Sequence, residues 1–279
     1  MIHTSRQLKA LVRNMSGGDS ARAQIIIRSY VMERFLERLS LSKYRDNLIL
    51  KGGTLVAAIV GLDQRSTLDV DATIKNLPLS EAGARNIVDE IASMQIEDGM
   101  SFVVKSVSPI MDEADYHGIR IMLDATLENM HTPLKIDFST GAVITPREVS
   151  YSFRLLFEER TISILAYNLE TVLAEKLETL IVRGTTNTRM RDFYDIYVLG
   201  STQSHNIDAD VLKRAFANTS EKRGSIALLA DADLILGEVE QSEALIALWK
   251  NYQSKYEYAA DIPWDVAITS VRALVEKIG

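Results

Sequence analysis

Three pairs of aspartates one residue apart occur in the chain, and their surroundings separate them. Asp208/Asp210 precedes the helical pattern Val211-Leu212-Lys213-Arg214, and Asp231/Asp233 stands before Leu234-Ile235-Leu236, so both pairs suit helix capping. Asp69/Asp71 instead alternates with Leu68, Val70 and Ala72. In a strand that alternation sends both carboxylates to one face, about 6.5–7 Å apart along the backbone. At an effective dielectric near 20, two such charges repel by roughly 2–3 kcal/mol, and a hard divalent cation with oxygen ligands relieves the cost. The alternative is an exposed edge strand with solvated acids. Upstream, Gly52-Gly53-Thr54 stands where an apolar strand turns into a helix; glycines there admit a phosphate, and the free N–H groups of the helix start favour an anion. Neither a Walker lysine-serine signature nor a GxGxxG fingerprint is present, which argues against P-loop and dinucleotide-binding chemistry.

A third acid, Asp137, lies in the strand-like Pro133-Leu134-Lys135-Ile136-Asp137-Phe138. Two-metal phosphoryl-transfer sites use such a carboxylate to bridge ions or accept the proton of an attacking hydroxyl, and Asp124 competes for that role. Lys176 falls inside the helical stripe Leu169, Leu173, Leu177 and Leu180, where a charge needs a partner. Arg183 follows on nearly the same line, so the two form a basic strip for triphosphate or RNA phosphate, unless Lys176 simply snorkels. Asp192, at the border of the apolar face of Phe193, Ile196 and Tyr197, is a candidate partner that would orient Lys176.

These residues need elements to hold them. Residues 20–39 carry Ile26, Tyr30, Phe35 and Leu39 at helical spacing; a short strand at 47–50 precedes the glycine turn, and Leu55 to Leu62 form a second, more buried helix. Thr67 to Ile74 alternates as a strand, Ser80 caps a helix to about Gln95, and Phe102–Val107, Ile119–Leu127 and Leu134–Phe138 are rich in strand formers. After about residue 167 the pattern turns helical: Asn168 caps a helix to Arg183, another runs from about Thr188 to near Gly200, and three or so follow. The expected class is α+β, with a mixed-sheet core over 1–167 and a mostly helical lobe over 168–279. No internal repeat or flexible linker appears, so the lobes are expected to share an interface.

The composition, 47% hydrophobic and 25% charged over 279 residues, is that of a globular protein. With no cysteine, disulfides and thiolate metal sites are excluded, and the four histidines (His3, His117, His131, His205) are too scattered to suggest a zinc cluster. A net charge of −7 argues against coating DNA or RNA through bulk electrostatics, though a local basic patch such as Lys176, Arg183, Arg189 and Arg191, or Lys222 and Arg223, could dock one phosphate-rich substrate. No apolar run reaches the about 20 residues of a membrane span, and no leader-like segment opens the chain, so a cytoplasmic location without membrane partners is expected.

Lys51-Gly52-Gly53-Thr54 followed by Arg65-Ser66-Thr67-Leu68-Asp69-Val70-Asp71 resembles the first motif of the AbiEii-type toxin nucleotidyltransferases, a branch of the DNA polymerase β-like superfamily related to the MenT-type tRNA-modifying toxins. Lys135-Ile136-Asp137 resembles the family's third-acid strand, Glu175-Lys176-Leu177 with Arg183 its lysine motif, and Arg191-Asp192-Phe193-Tyr194-Asp195 its final motif. The resemblance implies a polymerase β-like nucleotidyltransferase core and a helical C-terminal lobe supplying Lys176 and Asp192. It implies Mg2+, or Mn2+, on Asp69 and Asp71 with Asp137 as the further acid, and a nucleoside triphosphate held by Gly52, Gly53 and Thr54. Lys176 and Arg183 would contact phosphates, Asp192 would support that site, and Arg65 would be a phosphate contact. The implied activity is that of a toxin in a bacterial toxin–antitoxin or phage-defence pair, transferring a nucleotide to RNA, with the 3′ end of tRNA favoured and a cognate antitoxin as partner. Alternatives are the same chemistry on an antibiotic or protein hydroxyl, and a nucleotide-binding interaction protein without turnover. Trp249, Tyr252 and Tyr256, at i, i+3, i+7, suit a buried helix face better than base stacking.

Overall fold

A computed structural model describes residues 1–67, 69–110 and 118–278; Leu68 and His117 lie outside the described residues. Two compact units result, one of 1–62, 66–141 and 149–166, the other of 63–65, 142–148 and 167–279.

The first unit holds helices α1 (Ser5–Ser16), α2 (Ser20–Leu41), α3 (Gly52–Val60) and α4 (Glu81–Ala92). Its strands are β1 (Leu48–Leu50), β2 (Asp69–Ile74), β3 (Met100–Ile110), β4 (Gly118–Leu127), β5 (Met130–Ser139), β6 (Val149–Arg154) and β7 (Thr161–Ala166). Among the described residues these form one mixed sheet in the order β3-β4-β5-β2-β1-β7-β6. β2 runs parallel to β5 and antiparallel to β1, and β1 runs parallel to β7. Period-two alternation divides the sheet into two faces. Val70, Ala72, Ile121, Leu123, Leu134, Ile136 and Phe138 are buried on one, against which α2 and α4 pack. Asp69, Asp71, Arg120, Lys135 and Asp137, at the intervening positions, stand half-buried on the other.

Helix α2 begins at the Asp19 cap and, after an exposed first turn, is buried on every side from Ser29 to Leu39. Its Arg38 is buried and makes a two-pronged pair with Asp98 at 2.7 and 2.8 Å, while Arg34, fully buried, meets Glu33 and Glu37. Charges in an amphipathic pattern can thus sit inside when each finds a carboxylate. Strands β6 and β7 answer to no sequence expectation. Helix α3 begins three residues ahead of Leu55, because Gly52-Gly53-Thr54 is itself its first turn.

The second unit holds α5 (Leu169–Arg183), α6 (Met190–Thr202), α7 (Ala209–Arg223), α8 (Ile226–Leu229), α9 (Ala232–Gln241), α10 (Glu243–Lys255) and α11 (Trp264–Glu276). Asn168 caps α5 by accepting from the Thr171 N–H at 2.8 Å, and Asp208 caps α7 through the N–H groups of Asp210 and Val211. Asp231 occupies the N-cap of α9 without a side-chain bond. The core is built from Leu173, Leu177 and Leu180 of α5, Phe193, Ile196 and Leu199 of α6, Leu212, Trp249 and Val271. Trp249 and Tyr252 are buried on α10, whereas Tyr256 is half-exposed beneath the Arg191 guanidinium. The sheet-bearing first unit and the helical second unit make the protein α+β.

Candidate active site

The acidic strand and the glycine turn meet. The Thr54 hydroxyl donates to the Asp69 carbonyl at 2.6 Å and accepts from the Asp71 N–H at 3.2 Å, and the Lys51 N–H donates to the Asp71 carbonyl at 2.9 Å. Thr54 is wholly buried, so its side chain ties the first turn of α3 to β2 and is not offered to a ligand. The amides of that turn are another matter. Lys51, at the N-cap, makes no side-chain cap bond, and the N–H groups of Gly52, Gly53 and Thr54 have no acceptor within the helix. Gly52 has φ +59°, and a Cβ on it would come within 2.6 Å of Asp71 Oδ2. Glycine there lets the carboxylate lie directly against the start of the helix, where a carboxylate, a cation and a phosphate can share a small space.

The parallel register sets Asp71 opposite Asp137 and Asp69 opposite Lys135. Burial, together with the negative charges of Asp137 and Asp69, pushes the Asp71 carboxyl up to about 6, although Lys51 and Lys135 pull the other way. Asp137 is itself gripped: Arg120 Nε and Nη2 donate to its two oxygens at 2.9 and 2.8 Å. Arg120 lies opposite Asp137 in the β4–β5 register, a contact the sequence reading missed because the pairing of those strands is a tertiary fact. The Lys135 ammonium lies 2.5 Å from Asp69 Oδ2 and 3.9 Å from Asp137 Oδ2. Asp124 keeps other company, bonded to His131 at 2.9 Å and 3.8 Å from Lys105. Among the described residues no three acid or histidine side chains are already gathered as a chelating set; two of the acids hold basic side chains instead.

In the second unit Lys176 Nζ donates to Asp192 Oδ1 at 2.8 Å and lies 2.7 Å from Asp195 Oδ2. Burial by itself pulls this ammonium down, but the two carboxylates more than offset it and hold it above the ordinary lysine range. Asp195 has no exposed side-chain surface and also accepts from Arg65 Nε at 2.6 Å and Nη2 at 3.3 Å. Burial would raise its carboxyl, yet Lys176 and Arg65 draw it below the usual range. Asp195, three residues after Asp192 on α6, was missed as a partner of Lys176; its place between buried Tyr194 and Ile196 was the available signal. Arg65, only 2% exposed, spends its guanidinium on Asp195. The residue expected as a phosphate contact thus stands in a buried ion pair with Asp195. Arg183 ends α5 and is half-buried. Arg189 and Arg191 flank the start of α6, and Arg223 is engaged by Glu178 at 2.5 Å.

Comparisons with known proteins carry the assignment further. The chain matches the family described as Nucleotidyl transferase AbiEii toxin, Type IV TA system, over residues 34–275. It is similar in structure to the MenT4 nucleotidyltransferase toxin of Mycobacterium tuberculosis, with TM-score 0.59 and 16% identity over 97% of this chain and 98% of that one. It is also similar to an H. pylori protein assigned as a nucleotidyltransferase, with TM-score 0.51 and 18% identity over 91% of this chain and 96% of the other. No curated protein matches it by sequence. At such identities the structural likeness establishes a shared fold. The family match spans most of the chain, including the glycine turn, the acidic strand, the third-acid strand and the lysine helix, and it places the chain in the AbiEii nucleotidyltransferase toxin family of type IV toxin–antitoxin systems.

Proposed function

We propose that this toxin transfers a nucleoside monophosphate from a triphosphate to an RNA hydroxyl, with the 3′ end of tRNA as the favoured acceptor. The acceptor oxygen bonds to the α-phosphorus, the bond to the β-phosphate oxygen breaks, and pyrophosphate leaves while the hydroxyl proton is taken up by a carboxylate or by water. The observation that supports this reading best is the convergence of Asp71 on the first turn of α3, with Asp69 and Asp137 on the same sheet face.

Those carboxylates suit a hard divalent cation, because Asp71 sits among like charges that leave it poorly neutralised. Asp69 and Asp71 would hold Mg2+ or Mn2+, and Asp137, oriented by Arg120, is the further acid. When bound, the ion supplies a Lewis acid for the phosphoryl oxygens. The amides of Gly52, Gly53 and Thr54 would take triphosphate oxygens. Lys176 has three ammonium donors, two of them facing Asp192 and Asp195, which leaves one for a phosphate. Arg183, two turns along α5, extends the same basic line. Lys176 and Asp192 belong in this proposal to the same reaction as the acids, with Asp192 as the group that keeps the lysine charged. We further propose that the protein works in the cytoplasm alongside a cognate antitoxin, in a growth-arrest or phage-defence role; among the described residues no helix is long and apolar enough to cross a membrane.

The test is incubation of the protein with each α-labelled triphosphate and Mg2+, offering total RNA, total protein and an aminoglycoside as separate acceptors. Label is expected in RNA of tRNA size with release of pyrophosphate, and Asp71→Ala should lose it while still folding. Label in drug or protein, or tight triphosphate binding with no transfer to any acceptor, would overturn the RNA assignment.

A further inference from the structure

Lys135 stands where its charge has a second meaning. It lies on β5 opposite Asp69 and two residues before Asp137, on the sheet face that carries all three acids. Its ammonium is 2.5 Å from one and 3.9 Å from the other, and its side chain remains 25% exposed. Arg120 balances Asp137 from the β4 side through both carboxylate oxygens. Asp71, packed against Gly52, faces Asp137 across the β2–β5 pair. An ammonium and a divalent cation are both hard, oxygen-seeking charges, and they cannot lie together against one carboxylate oxygen.

We propose that Lys135 is a resident counter-cation of the acid cluster: its ammonium neutralises Asp69 and Asp137 when no divalent ion is bound, and an incoming ion must displace it. The residue thus keeps β2 and β5 paired despite their facing acids, and it lowers the affinity of the site for the free ion. Its partial exposure lets the flexible stem swing out without moving the strand. Arg120, fixed by two bonds to one carboxylate, stays in place. This inference rests on the metal-binding reading of Asp69 and Asp71 given above.

The test uses the full chain, freed of metal with a chelator, and Mn2+ alone as the probe, followed by electron paramagnetic resonance and calorimetry without nucleotide. Lys135→Met is expected to bind Mn2+ about tenfold more tightly than the wild type, the order of effect expected from removing one positive charge beside a partly exposed carboxylate pair. Lys135→Arg, which keeps the charge, is expected to bind no more tightly than the wild type. In chelator Lys135→Met should melt below the wild type, and Mn2+ should restore it. If Lys135→Met gives too little folded protein, Lys135→Gln takes its place with the same expectation. Equal or weaker Mn2+ binding by the neutral variants, with normal binding by the wild type, overturns the inference and leaves the metal reading intact. Failure of wild type and neutral variants alike to take up Mn2+ removes the metal reading and this inference with it.

Discussion

Asp71 holds its proton more tightly in the folded chain than its ordinary value of 3.8 would allow, up to about 6, because burial and the charges of Asp137 and Asp69 oppose ionisation. Between those two values the folded state binds more protons than the unfolded, so stability falls as pH rises through the window and the full cost is present above it. Asp71→Asn removes the ionisation. Denaturant unfolding should show the variant more stable than the wild type by about 3 kcal/mol at neutral pH, the gap closing below about pH 4, with transfer abolished. A stability gap between variant and wild type that is the same at both pH values would show that Asp71 carries no such load. Asp195 is the reverse case, a buried carboxylate drawn down by Lys176 and Arg65. Asp195→Ala leaves two buried cations short of a partner and is expected to lose about 3–5 kcal/mol of stability. Asp192→Ala, at the end of the same ammonium but facing Arg189 as well, should lose less and act mainly on transfer. Comparable unfolding midpoints for the two variants would contradict that ranking.

At the scale of elements, the junction of α3 with β2 is the part on which the acid pair depends. Thr54→Val keeps the shape and removes the hydroxyl that bridges the Asp69 carbonyl and the Asp71 N–H. Two buried backbone groups then go unpaired, for about 1–3 kcal/mol, whereas Thr54→Ser should recover most of it. Gly52→Ala meets both a positive φ and the Asp71 carboxylate. It should displace that carboxylate, and transfer measured on folded protein should fall more steeply than the melting temperature. The elements themselves were largely legible. Alternation at Asp69–Ile74 and the caps at Ser80, Asn168 and Asp208 follow from local chemistry that tertiary packing did not override. Strands β6 and β7 were overlooked although Val149–Arg154 and Thr161–Ala166 alternate polar and apolar residues; both are short, and the signal that marked Asp69–Ile74 was present there too. The first helix, Ser5–Ser16, was missed as well, its capping box of Thr4 and Gln7 being the overlooked signal.

For the molecule as a whole, a net charge of −7 sets the terms on which it meets RNA. Many of its basic side chains are already committed: Arg34, Arg38, Arg65 and Arg223 to carboxylates inside the protein, and Arg120 and Lys135 to the acid face. The remaining basic side chains are outweighed by an excess of acids, with 38 Asp and Glu against 31 Lys and Arg, so binding of a single-stranded acceptor should depend only weakly on salt, with a slope of log affinity against log salt of about −1 to −3. A slope near −6 in a filter-binding or anisotropy titration would contradict this and reveal an extended basic track.

By itself the amino-acid sequence determined the chemistry on offer. The spacing of Asp69 and Asp71 places two acids on one strand face, Gly52-Gly53 opens a helix start to an anion, and Lys176 within a leucine stripe demands a carboxylate, since each of these follows from backbone periodicity and the cost of burying charge. Tertiary structure decided the partners. Strand register brought Arg120 to Asp137 and Lys135 to Asp69, and tertiary packing gave Asp195 to both Lys176 and Arg65. A side chain's type fixes what it needs, but which opposite charge arrives within 3 Å depends on which distant segments the fold lays side by side.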